Sequence, residues 1–303
     1  MPPKPSVGRG VSPDLRESHV AELLDPRTIR ELAASIGLRP TKQRGQNFVT
    51  DANTVRRIVA KSGIAADVLV LEIGPGLGSL TLGLLETGAQ VTAIEIEESL
   101  AQLLPETVKR LQPENAERLR VVHADALEIT DLPGPQPSAV VANLPYNVAV
   151  LVLLHLLETF DDWRNGLVMV QLEVADRLVA DPGSKVYGVP SAKVAWYAEA
   201  RRVGTVPPTV FWPVPNVDSG LVKVTRREPP RTTAARETVF TVIDAAFAQR
   251  RKMLRSALSV LFGSSAAASE AISAAGVDPT ARGEVLAIDD FARIAEQLTE
   301  VEG

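Results

Sequence analysis

Residues 140–150 read VVANLPYNVAV, and Asn143, Leu144, Pro145 and Tyr146 are the part of this chain best suited to chemistry. An apolar run fit for a buried strand stops at Asn143. Pro145 has no backbone N–H and biases Leu144 away from helix, so the strand ends there and the chain turns. The turn leaves an amide side chain, a freed carbonyl and a phenol at a strand's carboxyl end, where open α/β sheets bind ligands. These groups suit methyl transfer to an amine. The exocyclic amine of adenine is a poor nucleophile because its lone pair is delocalised into the ring, and it improves as the nitrogen becomes tetrahedral. The Asn143 side-chain oxygen and the Leu144 carbonyl, accepting its two hydrogens, would hold it in that geometry and aim the lone pair at a sulfonium methyl. Tyr146 can stack on the base, and a target in a duplex has to be flipped out. The plainer alternative is that Asn143 caps the following apolar helix and Tyr146 is packing.

A nucleoside site is expected beside these residues. The segment EIGPGLGSLT (72–81) follows a strand pattern and opens a helix pattern, and its glycines permit a tight turn and close backbone approach by a ligand. The second strand pattern ends in Glu95, 21 residues after Gly74, where a carboxylate can accept both hydroxyls of a ribose. In HADAL (123–127), Asp125 can accept an adenine amino group at the third strand end while a neighbouring backbone amide reads the ring. The spacing suits NAD and S-adenosylmethionine alike, but Asn-Leu-Pro-Tyr holds no acid/base pair for redox chemistry.

The elements that must position these groups follow from the pattern of apolar residues. Strand-like runs VLVLEI, AQVTAIEI, LRVVHA, AVVANL and GLVMVQL alternate with helical stretches at 79–87, 98–111, 148–159 and 173–180. This pattern specifies βαβ units on a parallel sheet covered on both faces. Asp25, Pro26 and Gly37 bracket a helix over 26–36, and Asp51 and Gly63 bracket another. Runs at 199–206 and 219–226 are expected to close the sheet edge as a hairpin-like pair. Beyond 230 the pattern is helical only, at 236–248, 250–262, 266–275 and 288–300. The expected division is therefore a disordered extension over 1–24, an α/β Rossmann-like domain over 25–229 and a small all-helical domain over 230–303.

Composition narrows the function. The chain has 303 residues, 45% of them hydrophobic and 23% charged, as in soluble globular proteins. It has no Cys and only three His, far apart in sequence, which leaves little for a thiol nucleophile, a zinc site or a Ser-His-Asp triad; no metal is expected. No apolar run approaches the roughly 20 residues of a membrane span, so a cytoplasmic protein without a membrane partner is expected. The formal net charge of −5 argues against nucleic acid, but it hides a local excess. From Lys223 to Arg255 nine Lys/Arg face three acids, a net of +6 that ends in Arg250, Arg251, Lys252 and Arg255. These four are the candidate RNA contacts, with a solvated helix face as the alternative.

Read together, EIGPGLGSLT, HADAL and NLPY, with RGQNF (44–48), QLEVADRL (171–178), PGSKVYG (182–188), VPPTVFWPVPNVDS (206–219) and FAQRRKMLRSAL (247–258), resemble the bacterial rRNA adenine N6-dimethyltransferases. The likeness runs from about Thr41 to Leu298. It implies an S-adenosylmethionine-dependent methyltransferase fold with a small C-terminal helical domain that docks on RNA. It further implies dimethylation of two adjacent adenosines near the 3′ end of small-subunit (16S) rRNA, by a monomer acting on an immature ribosomal small subunit. The resemblance puts Asn47, Val49, Gly74, Glu95, Asp125 and Asn143 around S-adenosylmethionine and sets Phe211 facing Tyr146 across the target base. Departures from the pattern are Leu172 in place of Lys, Val189-Pro190 in place of Arg-Leu, Ser256 in place of Asn and Val49 in place of Leu. The alternatives are a large-subunit rRNA methyltransferase of the macrolide-resistance type, which usually carries Ile in the Asn-x-Pro-Tyr motif and lacks FAQRRKMLRSAL, and a non-catalytic relative that only binds.

Overall fold

The computed structural model describes residues 22–39, 46–145 and 148–299. The chain begins with α1 (Pro26–Ser35), the two-residue strand β1 (Phe48–Val49) and α2 (Ala52–Ser62). Then β2 (Leu69–Ile73), α3 (Ser79–Glu86), β3 (Gln90–Glu95), α4 (Glu98–Leu111) and β4 (Leu119–His123) alternate, followed by β5 (Ala139–Asn143), α5 (Ala149–Thr159) and β6 (Asn165–Gln171). Next come α6 (Leu172–Leu178), α7 (Val189–Tyr197), β7 (Ala198–Val206), β8 (Phe211–Trp212) and β9 (Ser219–Arg226). The rest is helical: α8 (Arg236–Ala248), α9 (Leu254–Ala257), α10 (Ser259–Phe262), α11 (Ser265–Ala274) and α12 (Ile288–Thr299).

Seven strands form one sheet in the order β4-β3-β2-β5-β6-β9-β7. β2 to β6 run parallel, and β9 and β7 add antiparallel at one edge. The strand order turns back between β2 and β5, which puts a ligand crevice at their carboxyl ends. Alternation along the strands divides the core by face. Leu71, Ile73, Val140 and Ala142 pack with α5, α7 and the C-terminal helices, whereas Val70, Val91, Val141 and Met169 pack with α1 to α4.

Local signals set several element ends. Asp25 caps α1, its Oδ1 accepting from the Thr28 N–H at 2.7 Å, and Asp51 caps α2 in the same way through Thr54 at 2.7 Å. The antiparallel β7/β9 pair closes the sheet as the two apolar runs suggest, with β8 in the intervening segment leaving to pair with β1.

Three expectations change. Leu23 and Leu24, placed in a disordered extension, are 8% and 2% exposed. Leu24 and Ile29 have the N′/N4 spacing of a hydrophobic staple and share one buried cluster, so order begins before the cap; residues 1–21 lie outside the described residues. Helix α7 has no counterpart in the apolar pattern, although Pro190 in its first turn is a start signal. The single helix expected over 250–262 is a turn over 249–253 followed by α9 and α10. The Leu254 N–H donates to the Ala281 carbonyl (2.8 Å) and the Arg255 N–H to Pro279 (3.1 Å), bonds to a distant segment that break the helix without any local Gly or Pro.

Candidate active site

The sheet's carboxyl ends open on a cavity of about 300 Å³, within the usual size of ligand pockets. Among its lining residues are Asn47, Val49, Gly74, Glu95, Asp125 and Asn143, drawn from five separate segments of the chain.

The glycine loop forms the floor. Gly74 takes φ +65°, a conformation that disfavours side chains, and its N–H donates to the Ile94 carbonyl at 2.9 Å. At Gly76 a Cβ would meet Phe48 Cε1 at 2.7 Å, so the ring of β1 closes over the loop only because that residue is glycine. The β1 segment is pinned from two sides: the Ser79 hydroxyl donates to the Val49 carbonyl (2.6 Å), and the Thr50 N–H donates to the Val210 carbonyl (2.8 Å).

Glu95, at the tip of β3, is 5% exposed. Its Oε2 accepts from the Gly76 N–H and its Oε1 from the Glu97 N–H, both at 3.0 Å, which ties the second strand end to the glycine loop. Burial raises its pKa, and the backbone N–H groups of Glu97, Gly76 and Ile96 partly offset this. A carboxylate has about four acceptor sites, so lone pairs remain for ligand hydroxyls. Asp125 Oδ1 accepts from the Leu127 N–H at 2.8 Å, which fixes the turn after β4. Ile96, 59% exposed beside Glu95, adds an apolar side chain that the sequence reading passed over; a large apolar residue directly after the acidic strand end was its available signal.

Asn143 closes the site from the side of β5. Its Nδ2 donates to the Asn47 carbonyl at 3.1 Å. Because a carbonyl can only accept, this bond assigns the amide orientation and turns Oδ1 away from Asn47. A Cβ on Gly74 would lie 3.9 Å from the Asn143 carbonyl, so the glycine loop and the turn that follows β5 adjoin. The Leu144 N–H donates to the Met169 carbonyl at 3.0 Å, and among the described residues no backbone N–H donates to the Leu144 carbonyl. Pro145 lines the cavity; Tyr146 lies outside the described residues.

Phe211 is the residue expected to face Tyr146 across the base, and Tyr146 lies outside the described residues. The Phe211 ring is 2% exposed, packed in one cluster with Phe48 and Val49, and does not line the cavity. The antiparallel pairing of β8 with β1, with Phe211 opposite Val49, makes it part of the wall. The basic stretch is also less available than its charge suggests. Arg226 donates to the Leu157 and Phe160 carbonyls at the end of α5, Arg236 is held by Tyr197, Glu158 and Glu237, and Arg250 pairs with Glu284 at 3.1 Å. Arg251, Lys252 and Arg255 are exposed.

Beneath the pocket, Glu72 was not legible as a special residue. It is 1% exposed, accepts from the Thr81 hydroxyl at 2.7 Å, and burial pushes its pKa up to about 8, with the nearby Glu95 adding to the rise. Because folding raises this acid's pKa, the stability it contributes is complete below the ordinary 4.5 and is lost as the pH rises through about 8. Glu72→Gln keeps the acceptor for Thr81 and removes the titration. Urea unfolding should find this variant close to the parent protein at pH 5 and more stable at pH 9, by on the order of 1–4 kcal/mol. A difference that is the same at both pH values would show that Glu72 does not titrate in this range.

Five parallel strands with a glycine loop after the first and acidic residues ending or following the next two define the class: this is the fold of S-adenosylmethionine-dependent methyltransferases. Residues 38–300 match the family model described as ribosomal RNA adenine dimethylase, and the chain belongs to that family. It is 66% identical over 283 residues to the ribosomal RNA small subunit methyltransferase A of Cutibacterium acnes, covering 92% of this chain and 95% of that protein. It is 62% identical over 280 residues to the protein of the same name from Thermobifida fusca, covering 92% of this chain and 98% of that protein. Among solved structures, 23S rRNA methyltransferase ErmE aligns with a TM-score of 0.62 and 29% identity, over 83% of this chain and 99% of that one. A dimethyladenosine transferase from Plasmodium falciparum shares the fold, with a TM-score of 0.70 and 21% identity over 84% of this chain and 98% of that one. Among the described residues, no group of three or more His, Cys, Asp or Glu is placed to hold a metal ion, and no helix is long and apolar enough to cross a membrane.

Proposed function

We propose that this protein dimethylates the N6 amines of two adjacent adenosines near the 3′ end of small-subunit rRNA, using S-adenosylmethionine as donor. The small-subunit reading is favoured over the large-subunit one by the much stronger likeness to small-subunit enzymes over nearly the whole chain. A single geometric observation carries the chemistry: the Asn143 amide is oriented by the Asn47 carbonyl, with its oxygen turned the other way, beside the glycine loop.

The residues fit the donor. The backbone of the Gly74 loop permits close approach, Glu95 retains lone pairs for ribose hydroxyls, and Asp125 stands at the next strand end for an adenine amino group. S-adenosylmethionine, when bound, supplies a sulfonium methyl to the amine nitrogen, with the carbon–sulfur bonding pair leaving on sulfur. Asn143 Oδ1 and the Leu144 carbonyl accept the two amine hydrogens and hold the nitrogen in a tetrahedral geometry. The proton released from nitrogen leaves along one of these two hydrogen bonds, so no strong base is needed. Val148, at the start of α5, and Val152, on it, help to keep water from the reacting atoms.

The protein acts as a monomer in the cytoplasm, on a small subunit still incompletely assembled, without a metal, and docks through the helical part beyond residue 230. A flipped-out base is most accessible before the rRNA is fully packed. The test is transfer of labelled methyl to small subunits from cells lacking this protein, followed by mass spectrometry of the rRNA. Dimethylation of two neighbouring adenosines supports the reading. Binding without turnover, or methylation of large-subunit rRNA, overturns it.

A further inference from the structure

Arg250, Arg251, Lys252 and Arg255 form one group by sequence, but the structure separates them. Arg250 is only 38% exposed and turns inward. Its Nε pairs with Glu284 Oε2 at 3.1 Å and its Nη2 donates to the Lys185 carbonyl at 2.8 Å, so one guanidinium joins three distant segments. Other bonds tie the same segments together. The Gly183 N–H donates to the Glu284 carbonyl (2.6 Å), and the buried Tyr187 hydroxyl donates to the Leu286 carbonyl (2.8 Å). The loop over 182–188 is therefore held against the turn over 249–253, and it presents Lys185, which is exposed like Arg251 and Lys252. Lys185, Arg251 and Lys252 form no ion pair among the described residues. Glu284 is already taken by Arg250 and by Arg282, the latter at 4.0 Å, and Asp278 accepts from Thr280. Three unpaired cations on adjoining loops of a chain with net charge −5 repel one another, and a polyanion relieves that repulsion.

We infer that the rRNA-facing surface here is composite: Lys185 is a phosphate contact beside Arg251 and Lys252, and Arg250 is a positioning residue that holds the two segments in register. The inference rests on the proposal that this region docks on small-subunit rRNA, and the two can fail separately. Small subunits from cells lacking this protein are the probe, with filter binding across a salt series. Arg251→Glu/Lys252→Glu tests the docking reading and should weaken binding and flatten the salt dependence. Lys185→Ala should lower the slope of log affinity against log salt by about 0.7–0.9, which at 0.1 M salt relative to 1 M is about five- to eightfold in affinity. Glu284→Gln distinguishes positioning from contact by sign. If Arg250 positions the loops, turning its ion pair into a neutral hydrogen bond weakens binding about two- to fivefold; if Arg250 contacts RNA, removing the acid's charge leaves binding unchanged or tighter. Thermal unfolding and S-adenosylmethionine titration of each variant report an intact fold and pocket. An unchanged slope for Lys185→Ala, or unweakened binding for Glu284→Gln, overturns the inference. No effect of Arg251→Glu/Lys252→Glu overturns the docking reading itself.

Discussion

Asn143→Ala is expected to lose methyl transfer by about 10²- to 10³-fold in kcat, the usual cost of deleting one preorganised hydrogen-bonding group at a reacting centre. The geometry also predicts the behaviour of a second substitution. Asn143 uses both halves of its amide: Nδ2 donates to the Asn47 carbonyl, and that bond turns Oδ1 away from Asn47. Asn143→Asp supplies acceptors but no donor, so its carboxylate repels the Asn47 carbonyl and swings out of place. It should be no better than Asn143→Ala. Single-turnover methylation of small subunits, with donor affinity measured alongside, checks both variants. Substantial turnover by Asn143→Asp would mean that an acceptor alone suffices and that the bond to Asn47 is incidental.

Glu95→Ala should weaken S-adenosylmethionine by about 1.5–3 kcal/mol, roughly 10- to 150-fold in Kd. The loss has two sources. One is the missing acceptor for ribose hydroxyls. The other is the release of the Gly76 and Glu97 N–H groups, which Glu95 holds at 3.0 Å each and which shape the loop around the donor. Glu95→Gln should therefore also bind poorly, because its amide nitrogen faces one of those two N–H donors. Since burial raises the Glu95 pKa, donor affinity of the parent protein should fall as acidification protonates this carboxyl, and the fall should be absent in Glu95→Gln. Calorimetric titration against pH measures both effects. Parent-like affinity in a folded Glu95→Ala protein would remove Glu95 from the donor site.

Most of the Rossmann-like frame was legible because its signals are local. Caps at Asp25 and Asp51, the proline after Asn143 and the alternation of apolar runs act within a few residues of where they stand, and each recurs in the structure at its expected place. The candidate donor residues were legible for the same reason: a parallel sheet brings its strand ends together, so Gly74, Glu95, Asp125 and Asn143 converge once the strand pattern is known. Helix 250–262 was misread because the bonds that interrupt it come from Pro279 and Ala281, which no local pattern announces.

The sequence by itself determined that βαβ units build a parallel sheet and which family the protein belongs to, since these depend on periodicity, turn residues and motifs that each element carries within itself; the order of the strands across the sheet came from the structure. Tertiary structure alone decided which charges and rings remain at the surface. Arg226, Arg236 and Arg250 count toward the local charge but are spent on carbonyls and carboxylates of other segments, and Phe211 is buried opposite Val49. Glu72 reads as one more acid until burial beneath α3 raises its pKa. The physical reason is common to all of them: a side chain's availability and ionisation depend on which distant groups desolvate or pair with it, and those neighbours exist only once the chain has folded.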